Sequence, residues 1–207
     1  MVKQSKNKNY HPYWTILDAG CGTGRDTVKF IKEGYQVIAF DASPAMVRKC
    51  NKEIDDLKKS SDTKIAEIAN SSKCLEMTFD EVDFRNEFNG VWASASLLHI
   101  PRFRLENTIN KLIKALKKDG AIYLSLKYGN GSIELGNRQF YYYKAYMIKK
   151  ILRKIEGLKI IEIWLTNNKA EEVKRPWYII GWRLDWFWRY TKGEHWLNVL
   201  LKKEKDF

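Results

Sequence analysis

The sequence predicts an α/β three-layer sandwich, a mostly parallel seven-stranded sheet with helices on both faces. Three observations carry this. Apolar runs of strand length alternate with amphipathic segments of helix length. The first run empties into a glycine-rich turn, and the second ends on a single acid, Asp41. At 207 residues the chain fits one domain with a proper core. The expected organisation is a single domain over 1–207, interrupted by a Trp-rich insertion at about 169–194.

Thr15–Gly20 (TILDAG) reads as a buried strand running into a turn, and Arg25–Glu33 as a helix stopped by Gly34. Gln36–Asp41 (QVIAFD) is a second strand. Ser43 then caps a helix with Pro44 at its first position; it runs to about Lys59, and polar Ser60–Thr63 breaks it. Lys73–Phe79 is the third strand and Gly90–Leu97 (GVWASASL) the fourth. A long helix is expected over Phe103–Lys118, with Asp119-Gly120 as its stop. Ala121–Lys127 follows as the fifth strand, Tyr141–Ile155 as a helix, and Leu158–Thr166 and His195–Lys202 as a last, antiparallel pair.

Composition excludes several classes. Aromatic residues make up 14% of the chain, too many for a disordered polymer. No apolar run approaches the roughly 20 residues that span a bilayer, and Met1–Tyr13 is basic and polar without the apolar centre of a signal peptide. A cytoplasmic location follows as the expectation. Cys21, Cys50 and Cys74 are scattered without CxxC spacing and read as reduced thiols, so neither a disulfide frame nor a metal site is expected. Lys plus Arg outnumber Asp plus Glu by 37 to 25, a formal charge of +12. Such a field attracts nucleic acid, anionic surfaces and acidic metabolites alike, while lysines between the apolar positions of helices also serve plain solubility.

The chemistry is concentrated in Asp18-Ala-Gly20-Cys-Gly22-Thr-Gly24, between the first strand and the first helix. Alternate glycines allow positive φ and let backbone amides approach a ligand. A dinucleotide loop places its third glycine where this chain has Arg25, and a phosphate loop needs a Gly-Lys-Ser/Thr that is missing. Asp41, at the end of strand two, can accept from both hydroxyls of a ribose. Together they indicate a nucleoside crevice not built around pyrophosphate.

DAGCGTG, then VIAFDAS, then LLHIPR after strand four, resembles the class I S-adenosylmethionine-dependent methyltransferases, and within them the small tellurite-resistance-type bacterial branch. The resemblance covers roughly Ile16–Ile163 and implies a Rossmann-like fold with S-adenosyl-L-methionine as cofactor. It implies that Asp18, Gly20, Gly22 and Gly24 line the methionine half. Asp41 would hold the ribose, with Ala42 and Met46 near the adenine and Thr78 and Phe79 at its edge. Ser94 and Ala95 would lie by the reactive sulfonium. The chain departs from the pattern in having Asn89-Gly90 where an acid usually precedes strand four, and 14 residues before strand one where a closing helical segment is usual.

A thiol or amine acceptor needs little help in methyl transfer, whereas a hydroxyl needs a base. His99, just past strand four, is the candidate base; the competing reading is a histidine tied to a loop carbonyl near Pro101. Lys127 and Tyr128 at the end of strand five, with Arg138, are candidates for holding an anionic acceptor or for a solvated rim. The Pro-Pro-aromatic and Pro-Cys signatures of base-modifying enzymes are missing, which disfavours those acceptors. Pro176–Trp196 holds five of the eight tryptophans and reads as a buried insertion, a lid, or a surface for homodimers, membranes or single-stranded bases. The leading expectation is an enzyme methylating a small molecule. The alternatives are an RNA or protein methyltransferase, or a non-catalytic cofactor-binding module.

Overall fold

The computed structural model describes residues 14–167 and 195–205; the Trp-rich segment lies outside them, and with it the lid and dimer expectations. Five parallel strands form the heart of the sheet: β1 (Thr15–Ala19), β2 (Gln36–Asp41), β3 (Lys73–Glu76), β4 (Phe88–Ser94) and β5 (Leu116–Tyr128). Their spatial order is β3-β2-β1-β4-β5. The last pair completes the expected seven: β8 (Leu158–Asn167) and β9 (His195–Lys203) run antiparallel, and β9 inserts antiparallel against β5. Order reverses between β1 and β4, and that reversal opens a crevice at the carboxyl ends of the parallel strands.

Alternation along each strand sends side chains to two separate cores. Ile16, Val37 and Ala39 pack with Phe30, Ile31, Val47 and Ile54 from α1 (Arg25–Lys32) and α2 (Pro44–Lys58). Leu17, Ala19 and Phe40 face the other way, toward Leu105, Ile109 and Leu112 of α4 (Arg102–Ala115) and Leu152 of α5 (Ala145–Leu152). The sheet is thus covered on both faces, as a parallel sheet must be.

Several boundaries differ from the sequence reading. A helix α3 (Thr63–Asn70) stands where only a break was expected; Asp62 caps it by accepting from Lys64 N at 3.0 Å and Ile65 N at 3.3 Å. Strand three stops at Glu76, and Phe79–Glu81 is a single helical turn. Strand four begins at Phe88 and ends at Ser94, so Leu97–His99 forms another short turn. Helix α4 ends at Ala115 rather than Lys118. Leu116 already pairs with Phe88, and a bulge with Asp119 at φ 64° restores register at Gly90 and Ala121.

The largest correction concerns Tyr141–Ile155, expected as one helix. Only its second part is helical, as α5; Tyr141–Tyr143 instead belong to β7 (Arg138–Tyr143), which pairs antiparallel with β6 (Ser132–Leu135), giving nine strands among the described residues. Aromatic side chains favour the pleated surface, and here pairing outweighs helical periodicity. Lys127 pairs with Trp196 of β9 on one side and Tyr142 of β7 on the other. β7 therefore continues the line of β4 beyond Ser94.

One buried polar bridge ties the antiparallel edge to the parallel sheet. Tyr123 donates its hydroxyl to Asn198 Oδ1 at 2.6 Å, and Asn198 Nδ2 donates to Thr166 Oγ1 at 3.0 Å. Asn198→Ala leaves the tyrosine hydroxyl unmatched and is expected to lower unfolding free energy by about 1–3 kcal/mol in chemical denaturation. Adding Tyr123→Phe to that variant should recover part of the loss.

Candidate cofactor and active site

The glycine loop is built by backbone geometry that side chains oppose. Gly20, Gly22 and Gly24 have φ of 74°, 57° and 87°, in the left-handed region. A β-carbon on Gly20 would lie 2.5 Å from Ser96 Cβ, and one on Gly24 2.7 Å from Cys50 Sγ. These two glycines are required by packing against the turn after β4 and against α2. Gly22 differs: a β-carbon there meets nothing within 4 Å. It borders the open side of the loop, the space a ligand needs.

Asp41 fixes this loop from the neighbouring strand. Its Oδ2 accepts Gly22 N–H and its Oδ1 accepts Ser43 N–H, each at 2.9 Å. Each carboxylate oxygen keeps a further lone pair, so both can still accept from vicinal hydroxyls. Asp18 is 2% exposed and accepts the Thr27 hydroxyl at 2.6 Å. Burial pushes its carboxyl from 3.8 up to about 7, the Thr27 bond only partly opposing. An almost buried acid at the floor of a cleft is suited to a cationic ligand, which supplies the charge the surroundings withhold.

That cleft, about 200 Å³, is lined by Asp18, Gly20, Cys21, Thr23, Arg25, Asp26 and Ser94. Arg25 Nε donates to Asp26 Oδ1 at 2.9 Å, and Trp92 Nε1 donates to Asp26 Oδ2 at the same distance. Thr23, Arg25 and Asp26 were not among the residues singled out from the sequence. Thr23 lies within the glycine motif and Arg25 and Asp26 directly after it, at the first turn of α1, a position that could have marked them. Phe79 packs edge-on against Phe40 with centroids 5.1 Å apart and reaches the Gly20 wall. Thr78 is exposed, its hydroxyl given to Glu81 at 2.7 Å. Ala42 is exposed and Met46 half-buried at the start of α2. Ala95, at φ 53°, turns the chain sharply after Ser94, and its N–H donates to Ser125 Oγ at 2.8 Å. The next side chain, Ser96, is 8% exposed, and its hydroxyl lacks a partner among the described residues.

The acceptor-side candidates gather on the hairpin. His99 Nδ1 lies 2.9 Å from the Gln139 carbonyl, which can only accept, so Nδ1 carries a proton. The ring packs edge-on against Phe140, centroids 4.6 Å apart. Lys127 is 9% exposed, with its ammonium 5.0 Å from the Phe140 centroid and 5.8 Å from that of Tyr142. It is therefore no solvated rim residue. Tyr128 is half-buried against the core, and Arg138 is exposed at the hairpin turn. Asn89, in place of the usual acid, accepts Thr15 N–H at 3.1 Å and so fastens β1 to β4. The thiols scattered in sequence are not scattered in space: the three sulfurs lie within 4.8 Å of one another.

A reversal crevice with this loop and a placed strand-two acid defines a nucleoside-binding α/β protein of the methyltransferase class. Residues 16–120, more than half of the chain, match the sequence profile of a methyltransferase-domain family, and the chain belongs to that family. It is 24% identical over 177 residues to the carboxy-S-adenosyl-L-methionine synthase of Yersinia enterocolitica serotype O:8, covering 84% of this chain and 60% of that protein. The chain thus spans about three-fifths of the length of such curated relatives.

Solved structures share the fold. An S-adenosylmethionine-dependent methyltransferase from Methanosarcina mazei superposes with a TM-score of 0.68 at 13% identity, over 94% of this chain and 95% of that one. The 1,6-didemethyltoxoflavin-N1-methyltransferase of Burkholderia thailandensis, solved with its substrate and S-adenosylhomocysteine, gives 0.61 at 18% identity, over 92% and 71%. The architecture is that of the class I S-adenosylmethionine-dependent enzymes.

The two kinds of glycine should separate in mutagenesis. Gly20→Ala, which drives a β-carbon into Ser96, is expected to destabilise the fold measurably in thermal unfolding. Gly22→Ala should cost only about 1–2 kcal/mol of stability from its left-handed backbone, yet reduce S-adenosylhomocysteine binding sharply in calorimetry.

Asp18 gives a pH dependence with a definite sign. The folded carboxyl keeps its proton to about 7 and the unfolded one releases it near 3.8. Its ionisation therefore opposes folding as pH rises through that window. A cationic ligand favours the ionised form, so S-adenosylmethionine affinity should climb as pH rises past about 7. Asp18→Asn should remove both trends, seen by denaturation and calorimetry across the same pH range.

Proposed function

We propose that this chain transfers a methyl group from S-adenosylmethionine to a small-molecule acceptor, in the manner of the tellurite-resistance-type branch its motifs resemble. The observation that carries the reading is the shape of the crevice. The glycine loop, with Asp18 at its floor and Asp41 fixing it, and Ser94 at the end of β4 line the cleft; the His99 turn and the β6–β7 hairpin are assigned to the acceptor side as part of this proposal. The residues suit the cofactor: Gly22 leaves open space, Asp41 retains acceptors for a ribose, and Asp18 offers a latent negative charge. When bound, S-adenosylmethionine supplies an electrophilic methyl group on a sulfonium.

The chain's own part is alignment and proton removal. Asp18, Gly20, Gly22, Gly24, Asp41, Ala42, Met46, Thr78, Phe79, Ser94 and Ala95 form the cofactor wall. His99, whose Nδ1 bonds to the Gln139 carbonyl, is proposed to take the acceptor's proton on Nε2. Lys127, with Tyr128 beside it, places positive charge on the same side. An anionic acceptor bearing a hydroxyl fits these groups best. The net charge of +12 motivates RNA as the second acceptor class.

The test is incubation with S-adenosylmethionine and fractionated metabolites, followed by mass spectrometry of both cofactor and acceptor. S-adenosylhomocysteine with a methylated small molecule supports the proposal. A carboxylated cofactor, as the name of the Yersinia relative suggests for that protein, or a product found only with RNA and abolished by salt, overturns it. His99→Ala is expected to lower turnover about 10²–10⁴-fold on a hydroxyl acceptor while leaving S-adenosylhomocysteine affinity unchanged. Equal turnover removes it from the mechanism.

A further inference from the structure

Behind the glycine loop, Cys21 from the loop itself, Cys50 from α2 and Cys74 from β3 bring their sulfurs together. All three lie within 4.8 Å of one another, and Cys21 Sγ is 3.4 Å from Cys74 Sγ. Three elements far apart in sequence thus converge on one point. Cys50 is 0% exposed and Cys74 5%, while Cys21 is half-buried and leaves an entry from the cleft side. The backbone around them is fixed. Asn51 accepts Cys74 N–H at 3.0 Å and donates to the Cys74 carbonyl at 2.9 Å, while Cys21 N–H donates to Phe40 O at 2.9 Å.

We propose that Cys21, Cys50 and Cys74 form a three-thiolate site for a soft, thiophilic metal ion of the Cu(I) class. Three sulfurs around one ion at about 2.3 Å stand about 4 Å apart in a trigonal plane. The Cys21 and Cys74 sulfurs stand 3.4 Å apart and no pair exceeds 4.8 Å, so each separation is within about 0.8 Å of that value or closer than it. Zinc favours four ligands. Among the described residues this is the only cluster of histidine, cysteine and acid ligand atoms, and no fourth such atom joins it. The nearest recorded oxygen partner of Cys50 Sγ is the Thr27 hydroxyl at 3.9 Å, which is itself donated to Asp18. An all-sulfur, low-coordinate, largely dry site selects the soft monovalent ion. The cluster adjoins the cofactor cleft through Cys21, but metal binding by it does not depend on the proposed methyl transfer.

The experiment is anaerobic titration of the reduced full chain with Cu(I) against a coloured Cu(I) chelator, with Zn(II) run in parallel. The expected result is one Cu(I) per chain held against the chelator, with thiol protons released on binding, and weaker Zn(II) uptake. Cys50→Ser and Cys74→Ala should each weaken binding by more than about 100-fold, since loss of even an outer-sphere partner costs 10–100-fold. Cys50→Ser nearly conserves volume, and S-adenosylhomocysteine binding and thermal unfolding show whether each variant has folded. Three results overturn the proposal: no Cu(I) uptake, uptake unchanged in folded variants, or preference for Zn(II).

Discussion

The Asp41 carboxylate bridges two backbone N–H groups on separate segments, Gly22 in the loop and Ser43 at the start of α2, each at 2.9 Å. The rest of the site depends on this bridge. It holds the end of β2 to the turn that follows β1, and so fixes where the open face of the loop points. Neither N–H has an intrahelical partner, and an acid at that position satisfies both while retaining lone pairs toward the crevice.

Around that bridge the packing requirements and the ligand requirements fall on different residues. Gly20 and Gly24 are small because Ser96 and Cys50 press against them. Gly22 is small where no protein atom is near. The same division separates Thr27, which satisfies the buried Asp18, from Asp18 itself, whose raised pKa leaves it poised near neutrality. A stable scaffold and a site short of one positive charge thus coexist within ten residues of chain. The turn after β4 follows similar logic. The β6–β7 hairpin extends the line of β4, supplies the carbonyl that sets the His99 tautomer, and presents Phe140 to both His99 and Lys127.

Charge and aromatic content had suggested several partners, and the structure redistributes that evidence. Lys127 sits inward over aromatic rings. Among the described residues, no helix is long and apolar enough to cross a membrane.

The parallel strands, the glycine loop and Asp41 were legible in the sequence, because strand periodicity, left-handed turns and strand-end acids are local properties carried by neighbouring residues. Even so, α3 was overlooked although Asp62 supplied its cap, and α4 was extended through three residues that the sheet claims. The run of tyrosines at 141–143 is locally compatible with helix or strand, and only pairing to Ser132, Lys127 and Tyr128 decides it. The His99 tautomer, the burial of Lys127 and the meeting of Cys21, Cys50 and Cys74 required the third dimension. Each depends on contacts between segments dozens of residues apart, and spacing along a chain does not encode which distant strands will lie side by side.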